Sequence, residues 1–133
     1  MARRLISSGG PWEASAGYAR AVVVDDACWV SGTTDAGPDG RSLHPGDAES
    51  QARAALEGIE RALVEAGLAM SDVVRTRIYV TSMVEWSGPV LAVHGEVFGA
   101  IRPAATIVEV AALIDPSLLV EIEAEARRSG PET

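Results

Sequence analysis

The chain contains no lysine. All eleven of its cations are arginine, set against nineteen acids, which gives a formal charge of −8 and a pI near 4.7. No basic run or patch is visible, and binding to nucleic acid depends on neutralising phosphates with such a patch, so nucleic acid is not an expected partner. The single cysteine, Cys28, allows no internal disulfide and, between Ala27 and Trp29, reads as a small packed hydrophobe. Two histidines and one cysteine, far apart, form no zinc pattern. The glycines spell neither a phosphate-binding loop nor a dinucleotide fingerprint, and no serine stands in a nucleophile elbow. No metal and no cofactor are therefore expected. No apolar run approaches the roughly 20 residues that cross a bilayer. The opening MARRLISSGGPWE has no apolar segment behind its arginines, so it does not read as a signal peptide, and a cytoplasmic location is expected.

What is present is a chain of 133 residues, 47% apolar, enough for a single domain with its own core. The most informative stretch is Ile101 to Ala126, two strands joined by the turn Asp115-Pro116-Ser117. In the first, Thr106, Val108 and Val110 alternate with Ala105, Ile107 and Glu109. In the second, Leu118, Val120, Ile122, Ala124 and Ala126 make an apolar row opposite Glu121, Glu123 and Glu125. Such a carboxylate row is either a solvated sheet face or the lining of a cleft in which one glutamate handles a proton or a polar group.

Residues 1–16 read as irregular, with Trp12 docked somewhere on the body of the protein. Tyr18–Val24 and Cys28–Thr33 read as two strands of a hairpin, the second ending in Ser31-Gly32, small residues that allow close approach or merely end a strand. Residues 35–46 form a loop, where His44 before Pro45 reads as a surface residue. Asp47 caps a helix whose stripe Ala52, Ala55, Leu56, Ile59, Ala62, Leu63 and Ala66 faces a core and which Gly67 closes. Val73–Thr81 is a strand with Val74, Thr76, Ile78 and Val80 on one face and Val73, Arg75, Arg77, Tyr79 and Thr81 on the other. Its arginines could pair with the glutamate row. Val84–Phe98 is a second helix, with Trp86, Val90, Val93 and Val97 inward, Pro89 near its first turn, and His94 as a core or interface residue. Residues 129–133 read as a disordered tail.

The order β-β-α-β-α-β-β specifies an α+β two-layer sandwich: a mixed sheet of about five or six strands with two helices on one face. The other face would carry Ala105, Ile107, Leu119, Val73 and Tyr79 among Arg and Glu. That is too apolar to leave wet, so self-association is expected to cover it.

Val30-Ser31-Gly32, the helix from Gln51 to Ala66-Gly67, the strand Val73 to Val80, Arg102-Pro103-Ala104, Val108-Glu109-Val110 and Val120-Glu121-Ile122-Glu123-Ala124 together resemble the Rid (YjgF) family of reactive-intermediate deaminases over about residues 17–128. The resemblance implies a chorismate-mutase-like fold and a homotrimer with small-molecule clefts between subunits. It implies cofactor-free hydrolysis of enamines or imines. It matches Tyr18, Ser31 and Gly32 to cleft-lining positions and Glu121 to the acid that activates water. The family's substrate-binding arginine falls on Ala105, so the expected ligand is larger or lacks a carboxylate. Parity places Ala105 and Glu121 on one side of the sheet, with Thr106 also positioning the ligand. Glu121 would have its pKa raised by burial or by Glu123 and Glu109. The expectation is a hydrolytic deaminase or related C–N hydrolase with an unusual substrate. The alternative is a metabolite-binding or sensing protein, with a ribonuclease disfavoured by the charge.

Overall fold

The computed structural model describes residues 2–129. Six strands form one sheet: β1 (Arg3–Ile6), β2 (Ala21–Val24), β3 (Ala27–Thr33), β4 (Val73–Val80), β5 (Ala104–Glu109) and β6 (Val120–Arg127), in the order β1-β2-β3-β6-β4-β5. The β4–β5 pair is parallel and the rest are antiparallel. The sheet is thus mixed, and two long helices, α2 (Ala48–Glu65) and α3 (Met83–Phe98), join its buried face in one core with α1 (Pro11–Ala16) lying apart. The α+β sandwich read from the periodicities is the observed architecture.

The stripe of α2 is buried as expected, Asp47 Oδ1 accepts the Ser50 N–H at 3.0 Å, and Gly67, at φ +85°, turns the chain beyond the helix. Gln51, fully buried on the same helix, extends its amide past the stripe. Its Nε2 donates to the carbonyls of His44 (3.1 Å) and Ser117 (3.0 Å), and its Oε1 accepts from Leu119 N–H (2.8 Å). One side chain therefore ties the loop before α2 to the turn that feeds β6. That turn has the foreseen chemistry, with Asp115 Oδ1 accepting from Ser117 N–H and Oγ–H at 2.9 and 2.7 Å.

Four expectations need correction. Residues 1–16 are not irregular throughout: β1 pairs along β2 with Ile6 buried, and α1 begins at Pro11 and ends before Gly17. The Pro-first, Gly-last pattern was a legible helix signal, whereas a four-residue strand with three exposed residues carries no alternation of its own. In β4 a bulge between Val73 and Arg75 turns Val73 into the core, 3% exposed, and leaves Val74 51% exposed, the reverse of simple alternation. Pro89 lies inside α3 rather than in its first turn, because Ser82 caps the helix and starts it at Met83. Finally, Ala105 and Ile107 stand on the helix side of the sheet, level with Thr76 and Ile78. Of the expected tail, Ser129 is described and exposed, while residues 130–133 lie outside the described residues.

Candidate functional site

The register of β6 decides what the three glutamates do. Ile122 and Ala124 are buried against the helices, so Glu121, Glu123 and Glu125 stand on the opposite face, each half-buried. On neighbouring β4, Arg77 Nη1 reaches Glu125 Oε1 at 2.8 Å, and the Tyr79 hydroxyl donates a short hydrogen bond to Glu123. That bond is the main reason the Tyr79 phenol is pushed up from its usual pKa. The foreseen pairing of β4 arginines with β6 glutamates is thus made by Arg77, while Arg75 forms no ion pair among the described residues. Glu121 is different: it accepts no hydrogen bond among the described residues. Its pKa is raised chiefly by burial, a rise that nearby Arg20 opposes and the charge of Glu123 assists. Glu109 plays no part there, because its carboxylate accepts the Met83 N–H at 2.8 Å and caps α3.

The surroundings of Glu121 are set by a second bulge. Val30 pairs with Ala124 and Thr33 with Ile122, so Ser31 and Gly32 together oppose the single residue Glu123. A Cβ on Gly32 would lie 2.9 Å from Glu121 Cδ, so the carboxylate can rest against this backbone only because position 32 has no side chain. The carbonyl of Gly32 accepts Arg20 Nη2 at 2.6 Å. Ser31 fastens the segment entering β2: its Oγ donates to Ala19 O at 2.7 Å and its N–H to Arg20 O at 3.0 Å.

These groups open onto a cleft of about 600 Å³ whose wall includes Tyr18, Arg20, Ser31, Gly32 and Glu121. Four of the six residues named from the sequence, Tyr18, Ser31, Gly32 and Glu121, therefore converge on one cavity. The sequence reading missed Trp12, Glu13, Arg20 and Ile114, which also line it. Trp12 docks with its ring over Gly40. Burial alone would raise the pKa of Glu13, but hydrogen bonds from Ser8 and Ser7, together with the Arg20 charge, outweigh it and hold the carboxyl below its usual value.

Ala105 and Thr106 do not reach this cavity within one chain. β5 is an edge strand, separated from β6 by β4. Thr106 is level with Arg77 and Glu123, hence on the glutamate face, whereas Ala105 is level with Thr76 and Ala124 and faces the other way from Glu121. The parity expectation for residues 105 and 121 is overturned. It was carried through the irregular connection 110–119, which keeps no phase, while core packing of Ile107 and Ile122 fixes each strand separately. His94 sits beside the 105 level, its Nε2 2.9 Å from Thr76 Oγ1, and burial lowers its pKa. His44 is a partly exposed loop residue, but its Nδ1 lies 3.1 Å from buried Asp35 Oδ2. No group of three or more potential metal ligands occurs among the described residues, and none of their helices is long and apolar enough to cross a membrane.

The family model described as Endoribonuclease L-PSP matches residues 11–128. The chain belongs to the YjgF/Rid family. A Mycobacterium tuberculosis member of the YjgF/YER057c/UK114 family shares 47% identity and superposes with a TM-score of 0.85, covering 96% of this chain and 100% of that one. A RutC family protein of Pyrococcus abyssi is 31% identical over 109 residues, 82% of this chain and 84% of its own length. TdcF of Escherichia coli, solved with bound serine, is 28% identical with a TM-score of 0.75, covering 95% of this chain and 94% of that one. For a YjgF/Rid protein the six-stranded mixed sheet is thus the shared fold.

Proposed function

We propose that this protein is a cofactor-free hydrolase of an imine, enamine or related C–N bond, acting in the Glu121 cleft of a homotrimer. The observation that carries the reading is the state of Glu121. It is the one glutamate of its row without a hydrogen bond among the described residues, and it is half-buried with a raised pKa in a cavity of small-molecule size. A carboxylate brought towards neutrality in this way suits general acid–base work. Water would add to the imine carbon while Glu121 accepts its proton. The carboxyl would pass that proton to nitrogen to complete the carbinolamine, and would then carry the hydroxyl proton to nitrogen as the C–N bond breaks, so one imine and one water become one carbonyl compound and one ammonia. Tyr18 and the Gly32 backbone would bound the ligand, with Ser31 holding the wall. Thr106 and Ala105 would enter the site from a sister chain's edge strand.

The test is ammonia release from a panel of enzymatically generated imines, with and without carboxylates. Wild type should turn over at least one of them, and Glu121→Gln should lower kcat/KM by a hundredfold or more. No turnover across the panel would remove the enzyme reading.

A second reading, a metabolite-binding or sensing protein, is favoured by Ala105, since the residue that the family resemblance expects to be arginine there carries no charge. Ligand binding that survives in Glu121→Gln without any turnover would select it. Ribonuclease action is the weakest reading: the cleft offers Arg20 against Glu13 and Glu121, on a chain of charge −8.

A further inference from the structure

The cleft contains a guanidinium whose hydrogen-bonding capacity is largely unused. Arg20 is the second residue after Tyr18 and immediately precedes β2, and its backbone is clamped: the N–H donates to Ile6 O at 2.8 Å and the carbonyl accepts from Ser31 N–H at 3.0 Å. Of its five N–H donors, one on Nη2 is engaged by Gly32 O. The Nε–H is buried with no partner among the described residues, and no carboxylate lies within ion-pair distance of the group. Its two acidic neighbours do not neutralise it by contact. Glu13 is occupied by Ser7 and Ser8, and Glu121 interacts with it through space only. The side chain also forms part of the wall of an adjoining cavity of about 440 Å³, so it stands where the two spaces meet. A half-buried, immobilised guanidinium with donors to spare is suited to a planar anion, which it can grip through two parallel hydrogen bonds.

We propose that Arg20 is the anion-recognising residue of the cleft, and that the ligand carries a carboxylate seated on this guanidinium beside Glu121. The inference rests on the proposed use of the same cleft. It replaces the expectation that a chain with Ala105 takes ligands lacking a carboxylate: the positive charge is supplied from the start of β2 instead of from β5. Arg20 thereby sets specificity, selecting an α-imino acid or 2-oxo acid over its decarboxylated counterpart.

The experiment compares two probes of similar size, pyruvate and acetone, by amide NMR titration of wild type, Arg20→Gln, Arg20→Lys and Arg61→Gln. Pyruvate should shift the Ser31 and Gly32 amides of wild type, and acetone at equal concentration should not. Arg20→Gln should weaken pyruvate binding tenfold or more and abolish the preference over acetone. Arg20→Lys, which keeps charge without the planar fork, should retain part of it. Arg61→Gln, a charge loss at the neighbouring cavity, should bind pyruvate like wild type. Tryptophan fluorescence, which includes Trp86 packed against the core, reports whether each variant is folded, and if Arg20→Gln is not, Arg20→Lys alone must still show the reduced preference. Equal pyruvate binding by wild type and the Arg20 variants, no pyruvate binding by wild type, or equal binding of acetone overturns the proposal. The outcomes separate from those for hydrolysis. Arg20-dependent pyruvate binding without turnover of any imine removes the hydrolase and leaves the anion site. Turnover with unchanged carboxylate preference in Arg20→Gln does the reverse.

Discussion

The carboxylate of Glu121 rests in the space that a side chain at Gly32 would occupy, with Glu121 Cδ 2.9 Å from the position of the missing Cβ. The two residues belong to neighbouring strands, and the β3 bulge brings them face to face. Gly32→Ala should therefore move the acid without emptying the core. Because the displaced atoms are the end of a flexible chain, the stability change should stay within about 1 kcal/mol, while imine turnover falls tenfold or more. Denaturant titration beside a kinetic assay checks both halves. A loss of stability with full activity would show that the contact is structural only.

The raised pKa of Glu121 makes a prediction of definite sign. Burial disfavours its ionised form in the folded protein, so the group's contribution to stability is fully present below the unfolded carboxyl value, about 4.3. It is lost as pH rises through the higher folded value. Glu121→Gln should then be more stable than wild type at neutral pH and match it in acid. Thermal unfolding of both proteins across the pH range measures this. The same ionisation should appear as an acid limb in kcat/KM, displaced above the ordinary carboxyl range.

Gln51 supports the site at a distance. Gln51→Leu keeps the volume but strands the carbonyls of His44 and Ser117 and the N–H of Leu119, each now bonded within 3.1 Å. With roughly 1–3 kcal/mol for a buried group left unsatisfied, a loss of at least about 2 kcal/mol is expected. Urea unfolding would register it as a lower midpoint.

Self-association is directly measurable. The glutamate face carries Trp29 at 45% and Val108 at 41% exposure among its charges. Light scattering should return about three times the 13.9 kDa chain mass. A monomer mass would contradict the trimer and leave Ala105 and Thr106 without a route to Glu121.

The long elements were legible because packing repeats along them. The stripe of α2 and the alternation of β6 each extend over two or more turns or pleats, and both survive in the fold. Single-residue irregularities were not. Val73 and Val74 exchange faces at a bulge that their β-branched side chains do nothing to announce. β1 is held by pairing with β2, a tertiary cause invisible in four residues. In the cleft, Tyr18, Ser31, Gly32 and Glu121 could be read from motif and face. Arg20 could not, because its role depends on the Gly32 carbonyl that holds it and on a cavity assembled from distant segments.

Two residues of β3 standing against one of β6 have a consequence for chain length. Removing either Ser31 or Gly32 would make the ladder regular while leaving Thr33 level with Ile122, so the strand beyond keeps its phase and only the doubled position against Glu123 is lost. A one-residue deletion would therefore spare the inward side of β3 and take away the backbone's close approach to the Glu121 carboxylate: the surplus residue between Val30 and Thr33 serves the cleft and not the sheet.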